Sequence, residues 1–275
     1  MAGGYATRLW PITRNKPKPL LPVDGEPIIN YILDKLKPLD LDDILVSTNA
    51  KFEHEFKEWS DGAKVIVEKT NRENEKLGTI GAMSQLVDDI DDDLLVLGGD
   101  NIFTFDLEGM VDLYREKNSP MMGSYDVGSL EKAKKYGSVS LNNENMIKDF
   151  VEKPNNPKSS LIGIAMYIFP KKTFKKIPRY LEEGGSPDSP GNFIQWLYKN
   201  ENVYSYTFDG NWYDIGTPES YLEANRVFTE DKTVASSTEL DDHVVIEPPV
   251  HIGENVKIEG RSFIGPYAYI EKGSY

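Results

Sequence analysis

Residues 94–100 read Leu-Leu-Val-Leu-Gly-Gly-Asp, an apolar run that ends in two glycines and an aspartate. Four consecutive large aliphatic residues are typical of a strand that is covered on both faces by helices. The glycines end this strand and leave Asp100 at its carboxyl end, where open α/β sheets bind their ligands. The stretch therefore predicts an α/β fold with a candidate site near Asp100.

Shorter apolar runs and amphipathic segments alternate on both sides of this strand, as they do in βα units. Pro27 begins a helix with one apolar face, and Pro38 ends it. Further strands are predicted at 44–48, 64–67, 121–126, 137–141, 162–169 and 203–208, and further helices at 51–59, 107–117, 171–182, 192–199 and 218–228. The alternation predicts a main domain over residues 1–229 with a Rossmann-like, mostly parallel sheet.

The composition is that of a globular chain and excludes several classes of function. The 275 residues include no cysteine, so disulfides, thiolate zinc sites and a cysteine nucleophile are excluded. A net charge of -14 disfavours binding to nucleic acid or to anionic membranes, because the field of the protein repels phosphate. We expect a cytoplasmic protein without nucleic-acid or membrane partners, which holds any phosphorylated substrate through a few cations or a metal ion.

The C-terminal segment, residues 238–275, has a different pattern with a period of six residues. One row is aliphatic and a second row, four positions later, is small; the rows are Ile246, Ile252, Ile258, Ile264 and Ile270, and Val250, Val256, Ser262 and Ala268. A fixed hexapeptide period is the signature of a β-helix. The segment resembles a left-handed β-helix of fewer than two coils. Since so short a stub exposes its apolar end, we expect it to make a homo-oligomer.

The amino-terminal segment carries the longest candidate binding motif. Gly3 and Gly4 allow backbone N–H groups to approach phosphate oxygens, and Arg8 and Lys18 supply two cations beside them. The glycine spacing matches neither a dinucleotide-binding motif nor a Walker loop. Taken alone, two glycines and an arginine are more often an ordinary turn than a phosphate site.

The complete string, GGYATRLWPIT at 3–13 followed by KPKPLLPV at 16–23, resembles the signature of the sugar-1-phosphate nucleotidylyltransferase family. The resemblance extends to about residue 229 through LGT at 77–79, GGDN at 98–101, EKP at 152–154 and WYDIGTPE at 212–219. It implies nucleotidyl transfer from a nucleoside triphosphate to a sugar 1-phosphate, with release of pyrophosphate and with Mg²⁺ as the cofactor.

The resemblance also implies a role for individual residues. The nucleotide would be bound by Gly3, Gly4, Thr7, Arg8, Lys18, Leu77, Gly78 and Thr79. The sugar phosphate would be bound by Gly137, Glu152, Lys153 and Gly163, and Mg²⁺ by Asp100 and Asp214. The catalytic cations would be Arg8, Lys18 and Lys153. Without the resemblance, each aspartate could simply end a strand, and Glu152 and Lys153 could be a solvated strand end.

The sequence leaves the identity of the substrates open. Pyrimidine-using family members have a glutamine shortly before the LGT segment, whereas residues 68–76 contain none. A glutamate there could only accept hydrogen bonds, which suits the paired N–H donors of guanine. We favour dTTP or UTP with glucose 1-phosphate, and mannose-1-phosphate guanylyl transfer is the main alternative.

Three other functions are weighed against this one. A non-catalytic scaffold member of the same fold is disfavoured because the phosphate loop and both metal aspartates are retained. An acyltransferase activity in the tail would need several coils. A nicotinamide dehydrogenase would need a G-x-G-x-x-G motif after a strand, and the chain has none.

Family members also begin with a strand of roughly six residues before Ala-Gly-Gly, whereas this chain begins at Met1. That strand would lie centrally in a parallel sheet and support the phosphate loop. We therefore expect two neighbouring strands to lack backbone partners at this place, at a cost of roughly 1–3 kcal/mol for each buried unpaired group.

Overall fold

The computed structural model describes residues 1–60, 62–68, 70, 72, 75–229 and 233–275. Its α-helices are α1 (Ile28–Leu36), α2 (Glu53–Trp59), α3 (Gly78–Ser84), α4 (Glu108–Lys117), α5 (Leu130–Ala133), α6 (Lys171–Phe174), α7 (Ile177–Glu182), α8 (Pro190–Leu197) and α9 (Pro218–Phe228). Within the described residues, none of these helices has the length and apolar character needed to cross a lipid bilayer.

The strands of the main domain are β1 (Pro22–Val23), β2 (Glu26–Pro27), β3 (Leu45–Asn49), β4 (Lys64–Glu68), β5 (Leu94–Leu97), β6 (Asn101–Phe103), β7 (Met121–Asp126), β8 (Gly137–Leu141), β9 (Ile147–Glu152), β10 (Leu161–Phe169), β11 (Tyr204–Phe208) and β12 (Trp212–Asp214). Those of the tail are β13 (Thr233–Val234), β14 (Glu239–Leu240), β15 (Val245–Ile246), β16 (Val250–Ile252), β17 (Lys257–Ile258), β18 (Phe263–Ile264) and β19 (Ala268–Ile270).

A mixed sheet of six strands forms the centre of the main domain, in the order β11-β7-β10-β8-β9 with β5 also paired to β10. Strands β5, β7, β8 and β11 share one direction, while β9 and β10 run the opposite way. A separate parallel pair, β3 and β4, lies on the amino-terminal side. The predicted α/β class is confirmed; most strands of the sheet share one direction, and β9 and β10 run antiparallel to their neighbours.

Strand β10 shows how the two faces of the central sheet are filled. Ile164, Met166 and Ile168 pack into one apolar cluster with residues of α1 and α4. Tyr167 and Phe169 face the other cluster, which contains residues of α3, α7 and α8. Each such fully buried side chain contributes about 1.5–3 kcal/mol through removal of apolar surface from water. This double-sided core fixes the strand ends that carry the site.

Met1 and Ala2 lie between β3 and β5. The Ala2 N–H donates to Ser47 O at 2.7 Å, and the Gly99 N–H donates to Met1 O at 2.9 Å. These hydrogen bonds join the β3–β4 pair to the central sheet at one end. Beyond that end, a cavity of about 580 Å³ separates the two strands and is lined mostly by apolar side chains of α1, β3 and β5. This is the region in which the sequence predicts that two neighbouring strands lack backbone hydrogen-bond partners.

The observed elements correct some predicted boundaries. The predicted helix at 171–182 is two helices, α6 and α7, because Pro178 lacks the N–H that would continue the hydrogen bonds of α6. The first part of the helix predicted at 51–59 is a 3₁₀ turn, Ala50–Phe52, which the Asn49 side chain caps. The sequence reading did not place β9, α3 or the β6–β12 pair. The helix predicted at 218–228 is observed with the same bounds.

The tail strands pair in parallel with strands eighteen residues away, as in Val245 with Phe263 and Val250 with Ala268. The isoleucines of the predicted row pack together around Val250, Ile252 and Val256. The tail contacts the main domain, where the Tyr269 ring lies against Gly25. A left-handed β-helix over 238–275 stays a prediction, as does the boundary at 229; residues 230–232 lie outside the described residues.

Candidate active site

The segment 3–9 forms a tight loop above the carboxyl end of β5. Ala6 has a left-handed backbone with φ 48°, and it begins the 3₁₀ turn Thr7–Leu9. The loop is held from two sides, because Thr13 Oγ1 donates to Ala6 O at 2.8 Å and Asn49 Nδ2 donates to Gly3 O at 3.0 Å. This arrangement leaves Gly4 and the Arg8 side chain exposed to the cavity and to solvent.

Lys18 reaches the site from a second 3₁₀ turn, Lys18–Leu20, which follows Pro17. Its ammonium group forms an ion pair with Asp100, whose other oxygen accepts from Asn101 Nδ2 at 2.8 Å. Burial alone would raise the pKa of Asp100, but the Lys18 charge and these hydrogen bonds outweigh it and lower the pKa. Asp100 is therefore ionised and partly neutralised by Lys18.

Asp214 lies beside Asp100 because β12 pairs with β6. Asp214 is opposite Asn101 in this antiparallel pair, and the Ile215 N–H donates to Asp100 O at 3.0 Å. Burial and then the negative charge of Asp100 raise the pKa of Asp214, while Lys18, Arg8 and Lys153 oppose the rise. Two aspartates that are distant in sequence thus lie close enough to repel each other.

The opposite part of the cavity is built by β8, β9 and the start of α8. The Glu152 carboxylate lies against Gly191, where a Cβ would come within 2.1 Å of Oε2. Burial raises the pKa of Glu152, and the adjacent Lys153 opposes this. Lys153 has a left-handed φ of 45°, its N–H donates to Tyr136 O at 3.0 Å, and its side chain is 68% exposed. Its ammonium group lies 3.9 Å from Glu152 Oε1 and stays accessible to an anion.

The LGT segment forms the start of α3 at the other end of the cavity. The N–H groups of Ile80 and Gly81 both donate to Pro187 O, at 2.9 and 3.1 Å. Gly78 has φ +73°, and a Cβ there would lie 2.4 Å from Pro187 O. Only glycine fits this position without moving the backbone. Gly78 and Thr79 line the cavity, whereas Leu77 packs against Gly81 outside its lining.

A single cavity of about 650 Å³ joins these parts. The predicted residues that line it are Gly3, Gly4, Thr7, Arg8, Lys18, Gly78, Thr79, Asp100, Gly137, Glu152, Lys153, Gly163 and Asp214. The chain thus places every predicted site residue except Leu77 around one space, although their individual roles stay predictions.

Sequence reasoning missed several residues of the lining. They include Glu68, Tyr167, Ser189, Gly191 and Trp212. The Ser-Pro pair at 189–190 is a helix-start signal, and Ser189 does cap α8 by accepting from Asn192 N–H. Glu68 lies at the end of β4, and the adjoining stretch that carries the expected base-reading loop is described only in part, since 69, 71, 73 and 74 lie outside the described residues.

Comparison with known proteins places the chain in a family. A model of the family described as "Nucleotidyl transferase" matches residues 1–231, which is most of the chain. The chain belongs to this family. The predicted family resemblance is therefore confirmed, and the cavity described above is the candidate active site of a family member.

Named relatives differ in the substrates that their names state. "Bifunctional protein GlmU" of Methanocaldococcus jannaschii is 32% identical over 255 residues, which are 92% of this chain and 59% of that protein. A putative mannose-1-phosphate guanyltransferase of Sulfolobus acidocaldarius is 28% identical over 95% of this chain and 72% of its own length. The chain spans about three fifths of the length of the GlmU relatives that it matches.

Solved structures share the fold. A putative glucose-1-phosphate thymidylyltransferase of Bacillus anthracis superimposes with a TM-score of 0.72 at 25% identity, and the match covers 85% of this chain and 95% of that one. The fold class is thus shown by structure as well as by sequence.

Proposed function

We propose that the chain transfers a nucleotidyl group from a nucleoside triphosphate to a hexose 1-phosphate and releases pyrophosphate. One observation carries the proposal: a cationic glycine loop, an aspartate pair and the Glu152–Lys153 turn surround the same cavity. A protein that binds one small anion would need only the cationic glycine loop. An enzyme that brings two anionic substrates together would use the aspartate pair and the Glu152–Lys153 turn as well.

The chemistry requires little from the protein beyond positioning and neutralisation of charge. An oxygen of the sugar phosphate attacks the α-phosphorus, and the bond from this phosphorus to the bridging oxygen breaks. Pyrophosphate leaves with the electron pair. The attacking phosphate is already an anion at pH 7, so no general base is needed. The barrier comes from the mutual repulsion of two polyanions, which preorganised cations lower.

The cations of the cavity suit this task. Arg8, Lys18 and the amides at 3–4 would hold the triphosphate, while the exposed ammonium of Lys153 would hold the sugar phosphate. Glu152 would accept hydrogen bonds from sugar hydroxyls, and the close approach of Gly191 fixes its carboxylate. Gly137 and Gly163 line this part of the cavity and would let the backbone approach the sugar ring. The space that a Cβ would fill at each glycine is taken by Phe150 or Met122.

The donor set at the aspartate pair fits magnesium. Asp100 and Asp214 supply hard oxygen ligands, and their mutual repulsion favours a cation between them. In the part of the chain that the structure describes, no group of three or more acidic or histidine side chains forms a complete metal site. Phosphate oxygens and water would therefore complete the shell. When bound, the ion would neutralise charge on the reacting phosphates.

The identity of the two substrates is the finer part of the proposal. Relatives are named as a guanyltransferase and as adenylyltransferases, and a structural neighbour as a thymidylyltransferase, so the family does not decide between bases. The sequence-based preference for dTTP or UTP with glucose 1-phosphate stays a prediction. The retention of Arg8, Lys18 and both aspartates in one cavity favours catalysis over a scaffold role.

The proposal is tested by a pyrophosphate-release assay with Mg²⁺. ATP, GTP, CTP, UTP and dTTP are each combined with the 1-phosphates of glucose, mannose, galactose and N-acetylglucosamine. We expect release that needs both substrates and that Asp214→Asn lowers at least ~10²-fold. Asp209→Asn, an exposed aspartate outside the cavity lining, is the matched control and should retain the rate. Absence of release in every combination would reject the function.

The tail supports a second, structural part of the proposal, which is assembly into a homo-oligomer. Val245 and Phe263 face each other across the β15–β18 pair and are 57% and 63% exposed. Such an exposed apolar pair favours contact with a second copy. Sedimentation equilibrium tests this: the wild type should be oligomeric and Phe263→Asp monomeric. A monomeric wild type at micromolar concentration would contradict it.

A further inference from the structure

Asn101 is a buried amide beside Asp100 that has no task in the proposed reaction. It is the first residue of β6, and it is 3% exposed. Both ends of its side chain are hydrogen-bonded: Nδ2 donates to Asp100 Oδ1 at 2.8 Å, and Oδ1 accepts from Trp212 Nε1 at 2.7 Å. An indole, an amide and a carboxylate of the candidate site are thus connected in series.

The residue types at the two ends of this series explain why an amide lies between them. An indole N–H can only donate, and an ionised carboxylate can only accept. An amide does both, whereas an aspartate at position 101 could not donate and a leucine could do neither. Trp212 also sets the orientation of the amide. Because Oδ1 of Asn101 faces the indole N–H, the NH₂ group faces Asp100.

Trp212 is itself held by packing. It lies on β12, two residues before Asp214, and it lines the cavity. The centroid of its ring is 5.4 Å from that of Tyr136 and 5.8 Å from that of Tyr125. Since these rings restrict the indole, its N–H is a fixed donor for Asn101.

Gly98 and the pairing of β6 with β12 complete the arrangement. A Cβ at position 98 would lie 3.1 Å from both Asn101 Nδ2 and Asp100 Oδ1, so the glycine leaves room for their hydrogen bond. The backbone of Asn101 lies opposite Asp214 in the antiparallel pair. Asn101 is therefore connected to one aspartate through its side chain and to the other through its strand.

We infer that Asn101 and Trp212 are positioning residues for the divalent cation of the aspartate pair. Asn101 holds the Asp100 carboxylate in one orientation beside Asp214, and Trp212 acts through Asn101 by fixing its amide. The inference rests on the proposed function and extends it to residues that contact neither phosphate nor metal. Hydrogen-bond partners of ligating carboxylates contribute about 10–100-fold to metal affinity.

Binding of Mn²⁺ alone to the full chain, measured by electron paramagnetic resonance of the free ion, tests the inference without substrates. A chain with a net charge of -14 attracts further Mn²⁺ to its surface, so only the binding that Asp214→Asn removes is counted. We expect Asn101→Leu to weaken this binding about 10-fold, and Trp212→Phe, which keeps an aromatic ring and lacks the N–H, about 3-fold. The double variant should bind as Asn101→Leu does, because Trp212 acts only through Asn101. A general loss of stability would not produce this non-additivity.

The matched control removes an equivalent hydrogen bond elsewhere. Trp59 Nε1 donates to Asn30 Oδ1 at 2.8 Å, and neither residue lines the cavity. Trp59→Phe should therefore keep the wild-type affinity for Mn²⁺. Thermal denaturation shows whether each variant is folded.

Three results would each overturn the inference: unchanged affinity in a folded Asn101→Leu, additive losses in the double variant, or a wild type without a Mn²⁺ site that Asp214→Asn removes. If Asn101→Leu does not fold, unchanged affinity in Trp212→Phe overturns it instead. Failure of the proposed function is distinguishable, since the Mn²⁺ site and its response to the variants would then be present without pyrophosphate release from any substrate pair.

Discussion

The ion pair between Lys18 and Asp100 gives the sharpest test of the charge arrangement, because its two halves are not equivalent. Lys18 forms an ion pair with Asp100 and also opposes the rise in the pKa of Asp214 that burial and Asp100 cause. Removal of Lys18 leaves two mutually repelling carboxylates. Removal of the Asp100 charge leaves one carboxylate, Asp214, with one fewer repulsion and with Lys18 still nearby. Lys18→Ala should therefore destabilise the protein more than Asp100→Asn.

The magnitude follows from the burial of the pair. Removing one partner of a fully buried ion pair costs about 3–5 kcal/mol. The Lys18 and Asp100 side chains are 13% and 31% exposed, so solvent screens part of this and the expected loss for Lys18→Ala is about 2 kcal/mol. In a chain of this size that corresponds to a fall in Tm of roughly 4–8 °C. For Asp100→Asn, relief of the repulsion with Asp214 should offset most of the loss, and Tm should change by less than about 2 °C.

Thermal denaturation of both variants and of the double variant measures these shifts, and the pyrophosphate-release assay measures turnover. Both single variants should lose at least ~10²-fold in turnover, since each removes one preorganised charge. The reasoning would be refuted by an Asp100→Asn protein that is less stable than Lys18→Ala, or by near-wild-type turnover in either variant.

Three further predictions concern single positions. Gly78→Ala should lower the free energy of unfolding by about 3 kcal/mol or more, because the new Cβ would collide with Pro187 O. Gly62 also has a positive φ but lies in open space, so Gly62→Ala should cost only about 1 kcal/mol. Denaturant titration of both variants measures the difference. Ala6→Gly should raise Tm by up to about 4 °C in thermal melts, since relief of the left-handed backbone exceeds the added entropy of the unfolded chain. Burial raises the pKa of Glu152 in the folded state, so ionisation of Glu152 destabilises the fold at pH values above the folded-state pKa and has no effect below the pKa of the unfolded chain. Glu152→Gln should therefore increase Tm over wild type more at pH 7.5 than at pH 4. Glu247→Gln, the control, should show no such dependence on pH.

The sequence predicts most elements whose signals are local. The bounds of α9 follow from the Thr-Pro start and its capping hydrogen bond at Thr217, and both are properties of neighbouring residues. The direction of β10 could not be predicted, because a strand buried on both faces has the same apolar pattern whichever way it runs. The break between α6 and α7 follows from Pro178, which lacks a backbone N–H, and the helix predicted at 171–182 took no account of this proline.

Some residues of the candidate site could be predicted from local motifs, whereas others are brought together only by the tertiary fold. Gly3, Gly4 and Lys18 lie in one contiguous motif, and the family resemblance was enough to group them. The proximity of Asp100 and Asp214 depends on the pairing of β6 with β12, which joins segments more than a hundred residues apart. Glu68 lies in the 68–76 stretch before the LGT segment, but its burial and its contacts with Ser47 and Gly3 depend on the pairing of β3 with β4, which no sequence pattern shows.

The central claim is that the phosphate of a sugar 1-phosphate attacks the α-phosphorus of the nucleotide inside this cavity. Mass spectrometry of the products formed from a sugar 1-phosphate labelled with ¹⁸O in its phosphate group tests this most directly. The account predicts a nucleotide sugar that retains every labelled oxygen and a pyrophosphate that carries none. Label in the pyrophosphate, or release of pyrophosphate without a labelled nucleotide sugar, would contradict it.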